Sequence, residues 1–525
     1  MTEWEARPGT SAASRRTLLI ALAGLPACSV TPTPITPEQT AARVAADRAA
    51  MYAGQGRPNA AISLEAALAR SLIHNLDNRL AMYEQALQSA QLDVTRYDML
   101  PRVLANAGYA ARDRDLVSSS YSTANRAVFA DRTISVDRER LYGDLTFSWN
   151  LLDFGASYYL AKQQSDRVLV ARERRRRTVN AIFQEVRYAY WQAAAAQRLL
   201  PRVNLMVAEV RNARAQSRRL ERNREMPLAE ALRYQRTLIE LNRQLDAVAA
   251  DLATAKAKLA QLMGMPLGYE FELTAHESAE AALPEMRLTP DELERVALVN
   301  RPELREEDYN YRIAQLEGRR AILRMLPGLS LTGSFNGDSN SFLTYHNWAE
   351  VGLRTAVNLM GLVSAPAVRR QAQSQADLVR MRRLALSMSV VAQVHISVLQ
   401  FNRARVQFGH SLDSARVERR LQRLATAGQE AEVTSEMERI RNKAASLVAE
   451  LQCDRDYAEM QNAYAAVFVA LGLDPLPDAR AEDGVERTAE KVAEVQRAWL
   501  VGDITVPVLP TVDPELPPEP PAPQG

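Results

Sequence analysis

The sequence predicts a mainly α-helical chain with a small amount of membrane-type β-structure, built as a duplicated helix–strand–strand–helix unit. Three observations predict it. First, Met99-Leu100-Pro101 and the segment VLANAGY beyond it align with Met325-Leu326-Pro327 and LSLTGSF at an offset of 226, and Asn150-Leu151-Leu152 aligns with Asn358-Leu359-Met360 at an offset of 208. Second, most of the chain outside these points carries apolar residues at three- and four-residue spacing, the mark of amphipathic helices. Third, the only alternating segments lie between the helices of each copy. Internal repeats constrain a fold before any local pattern does. The change of offset, a loss of 18 residues in copy two, falls between two alternating segments, where a hairpin loop belongs.

The organisation follows in order: a signal segment 1–27, a tether 28–61, a first unit 62–265, a linker 266–289, a second unit 290–474 and a C-terminal segment 475–525. At the N-terminus Arg15-Arg16 precede the apolar run TLLIALAG and then Leu25-Pro26-Ala27-Cys28. That is a charged region, a short hydrophobic region and a small-residue cleavage site. The run is too short to span a bilayer. The L-x-A-C ending resembles a bacterial lipobox, implying cleavage before Cys28 and lipidation (palmitate) of its thiol. An ordinary signal peptide with an incidental cysteine is the plainer alternative. Ser29 after the cysteine fits export to the outer membrane of a two-membrane, Gram-negative bacterium. TPTPITPEQ then reads as an extended Pro/Thr tether, and the Pro-rich end from Pro507 to Gly525 as a disordered tail.

The first helix runs from Ser63 to Met99, with Leu64, Leu68, Leu72, Leu76, Leu80, Tyr83 and Leu87 on one face; its counterpart runs from Asp291 to Met325. A much longer helix follows from about Ala156 to Arg222, and another from about Pro366 to Ala427. Each turns back, at RNREMP and at ATAGQEA, into return helices Leu228–Met263 and Val433–Leu471. At about 1.5 Å per residue the long helices reach about 100 Å, and a leading and a returning helix laid end to end match that length. Each copy is therefore expected to form a two-stranded, coiled-coil-like helical rod. Pro201 and Gly409 occupy the same point in the two long helices, so a shared bend is expected there, chance coincidence being the alternative.

Four strands are expected, at about 102–111, 140–150, 328–337 and 349–358. In the second, Leu141, Gly143, Leu145, Phe147 and Trp149 alternate with Tyr142, Asp144, Thr146, Ser148 and Asn150. This is the length and pattern of a tilted membrane strand, and equally of a soluble antiparallel sheet with one buried face. The outer-membrane address favours the membrane reading. No internal stretch reads as apolar enough for a transmembrane helix, so a span must be a closed barrel. A barrel needs about eight strands, so several chains must share one.

A net charge of +2 makes no case for nucleic acid, and two cysteines exclude a disulfide framework. The five histidines lack metal-ligand spacing, and no nucleotide-binding or nucleophile motif is present. Neither an enzyme nor a cofactor is expected. The ERRRRT run (Glu173–Thr178) lies inside a long helix and reads as a solvated face with ion pairs rather than a binding patch.

With the duplication, the MLP element before the first strand of each copy, SWNLLDFG at the strand-to-helix exit and the LMGMP and ALGLDP ends, the chain resembles the TolC family of outer-membrane efflux proteins, and the lipobox resembles its lipidated branch. The resemblance covers about residues 60–478. It implies a homotrimer with a twelve-stranded β-barrel continued by a periplasmic α-helical barrel. It also implies a passive exit duct for a tripartite efflux or type I secretion system, docked to a periplasmic adaptor (membrane fusion) protein and an inner-membrane pump or ABC exporter. A lipid-anchored periplasmic coiled-coil scaffold without a channel is the competing reading. Copy two lacks the Asp153-Phe154-Gly155 of the exit motif. Family members can carry an acidic constriction near the helix turn; by position Glu230, Glu430, Glu432, Glu436 and Glu438 are the candidates, with a solvated helix start as the alternative.

Overall fold

The structure is a computed structural model that describes residues 32–56, 60–119, 124, 132–274, 286–431, 433, 435–475 and 484–508, and all but the Leu362 side chain among them. It divides into a unit ending at Gly54 and a unit beginning at Gln55. The described part of the first unit is dominated by one helix, α1 (Pro37–Met51), with no buried residue. Thr36 caps it and forms a reciprocal capping box with Gln39, and Pro37 starts it. The extended reading of TPTPITPEQ therefore fails beyond Thr36.

The second unit repeats one plan twice. In copy one the order is α2 (Leu64–His74), α3 (Leu76–Tyr97), β1 (Arg102–Ala111), a loop containing the two-residue strands β2 (Val117–Ser118) and β3 (Thr133–Ile134), β4 (Glu139–Asn150), α4 (Leu151–Arg222) and α5 (Leu228–Leu262). Copy two supplies α6 (Pro290–Asn300), α7 (Pro302–Leu323), β5 (Gly328–Asp338), β6 (Asn347–Ala356), α8 (Leu359–Glu430) and α9 (Glu436–Leu471). The long helices α4 and α8 each have 72 residues, and both their ends differ by 208. The expected mainly helical fold with short strands and an internal duplication is borne out.

Two expectations about helices need correction. The single leading helix of each copy is broken in two. Asn75 takes an extended conformation and its side chain caps α3 by accepting from the amides of Asp77 and Asn78. In copy two Arg301 is extended because Pro302 follows it. Second, the 18-residue window Leu384–Phe401 within α8 contains no Asp, Glu, Lys or Arg, and α8 is long and apolar enough by composition to cross a membrane. Its neighbours α7 and α9 pack along one side of it, but only 22% of that window is buried, so most of its apolarity is left uncovered in the single chain.

The ends of the return helices explain LMGMP and ALGLDP. Gly264 and Gly472 both have positive φ, 71° and 68°. A Cβ on Gly264 would meet the His74 carbonyl oxygen at 2.9 Å, and one on Gly472 would meet the Arg301 backbone at 2.6 Å. The same glycine joint thus seats each return helix against the break in its leading helix. Around these joints lies the core. Tyr190 donates to the carbonyls of Ile62 and Thr274, and Phe468 stacks on Trp499 with ring centroids 4.4 Å apart. Trp499 belongs to α10 (Val485–Leu500). This helix lies in the expected C-terminal segment, where Thr488, Val492, Gln496 and Trp499 are buried at helical spacing.

The solvated, ion-paired reading of ERRRRT holds for Arg174 and Arg177, which are exposed and pair with Glu306, but not for Arg175 and Arg176, which are partly buried. Arg174 bonds Glu306 on α7, and Arg175 reaches Asn78 on α3. Arg176 clamps Asp474, Glu173 and the carbonyls of Asn300 and Gly472. Successive helical residues point about 100° apart, so a run of arginines ties α4 to several neighbours at once.

Candidate functional site: sheet faces, open edges and helix tips

The large sheet has the order β1-β4-β5-β6, antiparallel throughout. Its register sorts the side chains by face. Val103, Phe147, Gly333 and Val351 form one row, and Ala105, Leu145, Phe335 and Ala349 the next. Trp149, Leu331 and Leu353 continue the same face. Val351 is 84% exposed, Leu353 71% and Leu145 53%. An apolar face left this open marks a surface that contacts lipid or another protein. The other face is mainly polar: Asn106, Asp144 and Asn336 share a row with Trp348, and Thr146, Ser334 and Glu350 share the next with Leu104. These side chains bond each other: Asn106 and Thr146 donate to Asp144 at 3.0 and 2.6 Å, and Asn336 donates to Ser334 at 2.9 Å. Apolar outside and hydrogen-bonded polar inside is the arrangement of a barrel wall.

The sheet is open, with β1 and β6 as its unpaired edges. The helices continue the same two edges. Toward the sheet, α4 packs against α3 and α7, and α7 against α8; toward the tips, α4 packs against α5 and α9, and α9 against α8. The edge helices are therefore α8 on one side and α3 followed by α5 on the other. Each carries an uncovered apolar stripe. On α3 it is Leu76, Leu80, Tyr83, Leu87, Val94 and Tyr97, all exposed; on α8 it includes Met381, Leu384, Met388, Ile396, Leu399 and Val406. At about 3.6 residues per turn each set falls on one side of its helix.

The exit motif shows why the copies diverge. Asn150 caps α4 through the amides of Leu152 and Asp153, and Asn358 caps α8 through those of Met360 and Gly361. Asp153 lies in the first turn, where the helix dipole favours an acid. Phe154 packs edge-on against Trp149, centroids 5.9 Å apart. A Cβ on Gly155 would meet Leu323 of α7 at 2.7 Å. Its equivalent, Val363, is 73% exposed because α8 has no neighbour on that side. A side chain at 155 would have to displace the Leu323 methyl, whereas at the edge the equivalent side chain stands exposed.

Below the core the two copies are joined by charge. Arg198 bonds Asp454, Arg202 bonds Glu450 at 2.5 Å, and Glu209 takes Arg439 and Lys443 at 2.7 and 2.5 Å. Burial acts to raise the Glu209 carboxyl pKa, but the bonds from Lys443 and Arg439 outweigh it and hold the pKa below the ordinary value. Helices α4 and α8 run through Pro201 and Gly409 unbroken, and both positions are exposed.

The structure places Glu230 in the first turn of α5 and Glu436 and Glu438 in the first turn of α9. All three are exposed, as is Glu430 at the end of α8. Glu432 and Cys28 lie outside the described residues. Sequence reasoning missed the Arg198–Asp454 and Arg202–Glu450 ladder, although a matched spacing of four between arginines on α4 and acids on α9 was its signal. Among the described residues no group of three His, Cys, Asp or Glu side chains is arranged to hold a metal.

Long antiparallel helices in two registered copies, joined to a small antiparallel sheet, define the fold of the TolC-family outer-membrane channels. Solved structures with that fold include the Campylobacter jejuni CmeC outer membrane channel, which is similar at a TM-score of 0.62 and 12% identity, over 84% of this chain and 94% of that one. The open state of the Neisseria gonorrhoeae MtrE outer membrane channel is similar at 0.60 and 17%, over 78% and 88%. CusC, described as undergoing conformational changes on folding and transmembrane channel formation, is similar at 0.59 and 16%, over 80% and 96%. No family model matches the sequence, and no curated protein aligns with it significantly.

Proposed function

We propose that three copies of this chain close edge to edge into one twelve-stranded β-barrel in the outer membrane, continued by a helical tube in the periplasm. The protein then acts as a passive exit duct in a tripartite efflux or type I secretion system. A periplasmic adaptor and an inner-membrane pump or ABC exporter supply cargo and energy, and the chain itself performs no catalysis. The observation that carries this reading is the match of edges. The two unpaired strands β1 and β6 stand above helices α3 and α8, and those same helices carry the uncovered apolar stripes. One rotation that pairs β6 with the β1 of the next copy also brings α8 against α3. Four strands per chain fall short of the about eight a barrel needs, so at least two copies must share one, and three is the number that the resemblance to the TolC family implies. A lipid-anchored scaffold without a channel leaves the open apolar sheet face unaccounted for.

Cys28 is proposed as the lipid anchor, tested by fatty-acid labelling of wild type and Cys28→Ala. The channel reading is tested with purified full-length protein. It should run as a heat-modifiable trimer from outer-membrane fractions and conduct in planar bilayers. Release of a soluble monomer by Cys28→Ala would contradict it.

A further inference from the structure

Charge is unevenly placed along the rods. The copy-one tip, residues 211–243, has nine arginines and four glutamates, net +5; the copy-two tip, residues 416–443, has six arginines and one lysine against five glutamates, net +2. Together the tips carry +7 in a chain whose total is +2, so the remainder carries −5. Acids just outside these windows neutralise part of the excess: Asp246 takes Arg211, Asp413 takes Arg416, Glu450 takes Arg419, and Glu209 takes Arg439 and Lys443; the arginines around the copy-one turn are left over. Arg218, Arg219, Arg222, Arg224, Arg233 and Arg236 are all exposed, and among the described residues none of them has a carboxylate within ion-pair distance, in contrast to Arg211 with Asp246 and Arg243 with Glu240. The two glutamates nearest the turn bond amides instead: Glu225 accepts from Asn223 at 2.9 Å and Glu221 from Gln235 at 2.6 Å.

The turn itself holds a second sign. Arg224 sits at φ 55°, the one positive φ at a residue other than glycine among the described residues. That conformation costs an L-residue on the order of 1 kcal/mol, and Gly or Asn takes it more readily. An arginine retained in a glycine's conformation at the tip of a rod points to a use for its charge.

We propose that the helix tips form a basic, anion-selecting mouth, and that the duct favours anionic solutes at its periplasmic end. This rests on the channel reading: three-fold closure brings three copies of every tip arginine around one opening. Rings of unpaired charge set the sign of ion that enters a pore, and their potential reaches about 8 Å into physiological salt. Glu430, Glu436 and Glu438 act in the opposite sense but are outnumbered, so an acidic ring does not set the net sign.

The experiment is the reversal potential of the full-length protein in planar bilayers under a KCl gradient. Wild type should show a chloride-to-potassium permeability ratio above unity. Arg222→Glu with Arg224→Glu and Arg233→Glu should bring it below unity. Arg224→Gly, which relieves the backbone and removes one charge, should fold and lower the ratio partway. Glu430→Gln with Glu436→Gln should raise it. A cation-selective wild type, or a ratio that the arginine variants leave unchanged, overturns the proposal. Trimers that conduct nothing would instead overturn the channel reading beneath it.

Discussion

Helices α4 and α8 are the same element met twice, equal in length and with both ends at one offset, yet they are packed differently. In α4, 24 residues are buried; among the described side chains of α8, nine are. Helix α4 has neighbours on both sides, and its sequence shows it: small residues such as Ala189, Ala193 and Ala196 lie where helices crowd it, and Phe183 and Tyr190 fill the core. Helix α8 has neighbours on one side only, yet its uncovered surface carries an apolar stripe, Met381, Leu384, Met388, Ile396 and Leu399, among exposed charges such as Arg380 and Arg403. A helix at a true surface would exchange Met381, Leu384, Met388 and Leu399 for polar residues. The difference teaches that one edge of the chain keeps an apolar stripe uncovered, the layer that the proposed trimer would supply from a second copy.

The comparison can be broken most forcefully at its centre. Phe183→Ala should cost about 3–5 kcal/mol of monomer stability, as removal of a buried aromatic ring does, read by denaturant unfolding. The matching experiment on α8 should have the opposite profile. Leu384→Glu with Met388→Glu and Leu399→Glu should leave helix content and monomer unfolding within about 0.5 kcal/mol while abolishing trimers on size exclusion. Leu80→Glu with Leu87→Glu on α3 should do the same.

A sharper version uses one equivalent position. Gly155→Val pushes a side chain against Leu323 and should cost about 1–3 kcal/mol through overpacking. Val363→Leu, at the exposed equivalent, should change the monomer by less than about 0.5 kcal/mol. Thermal unfolding of the two variants side by side checks both.

Much of this was legible in the sequence. The two offsets marked the repeat, and alternation at Leu141–Trp149 marked the strand whose apolar face now lies open. What was not legible depended on neighbours. The break at Asn75 is a capping choice inside an unbroken apolar pattern, whereas its counterpart was announced by Pro302. ERRRRT looked solvated throughout because a sequence cannot show that Asn78 and Asp474 wait at different angles around α4. The apolar window of α8 was underread because His395, Gln393 and serines interrupt it. At the tip, attention to glutamates in helix first turns passed over the larger arginine excess.

The smallest expected effect is one of pH. Glu209 has its pKa held down in the folded chain, so its contacts with Arg439 and Lys443 contribute fully above the unfolded value of about 4.3 and are lost as pH falls through the lower folded value. Wild type should therefore lose more stability than Glu209→Gln as pH drops below about 4. Equal pH profiles would detach this pair from the joint between the copies.

The central claim is that the two apolar edges of one chain are the two halves of a single joint. Native mass spectrometry of the detergent-extracted, full-length protein tests it most directly. The account predicts three chains per particle in wild type and one per particle in the Leu384→Glu, Met388→Glu, Leu399→Glu variant; a wild-type monomer, or a variant that still counts three, would contradict it.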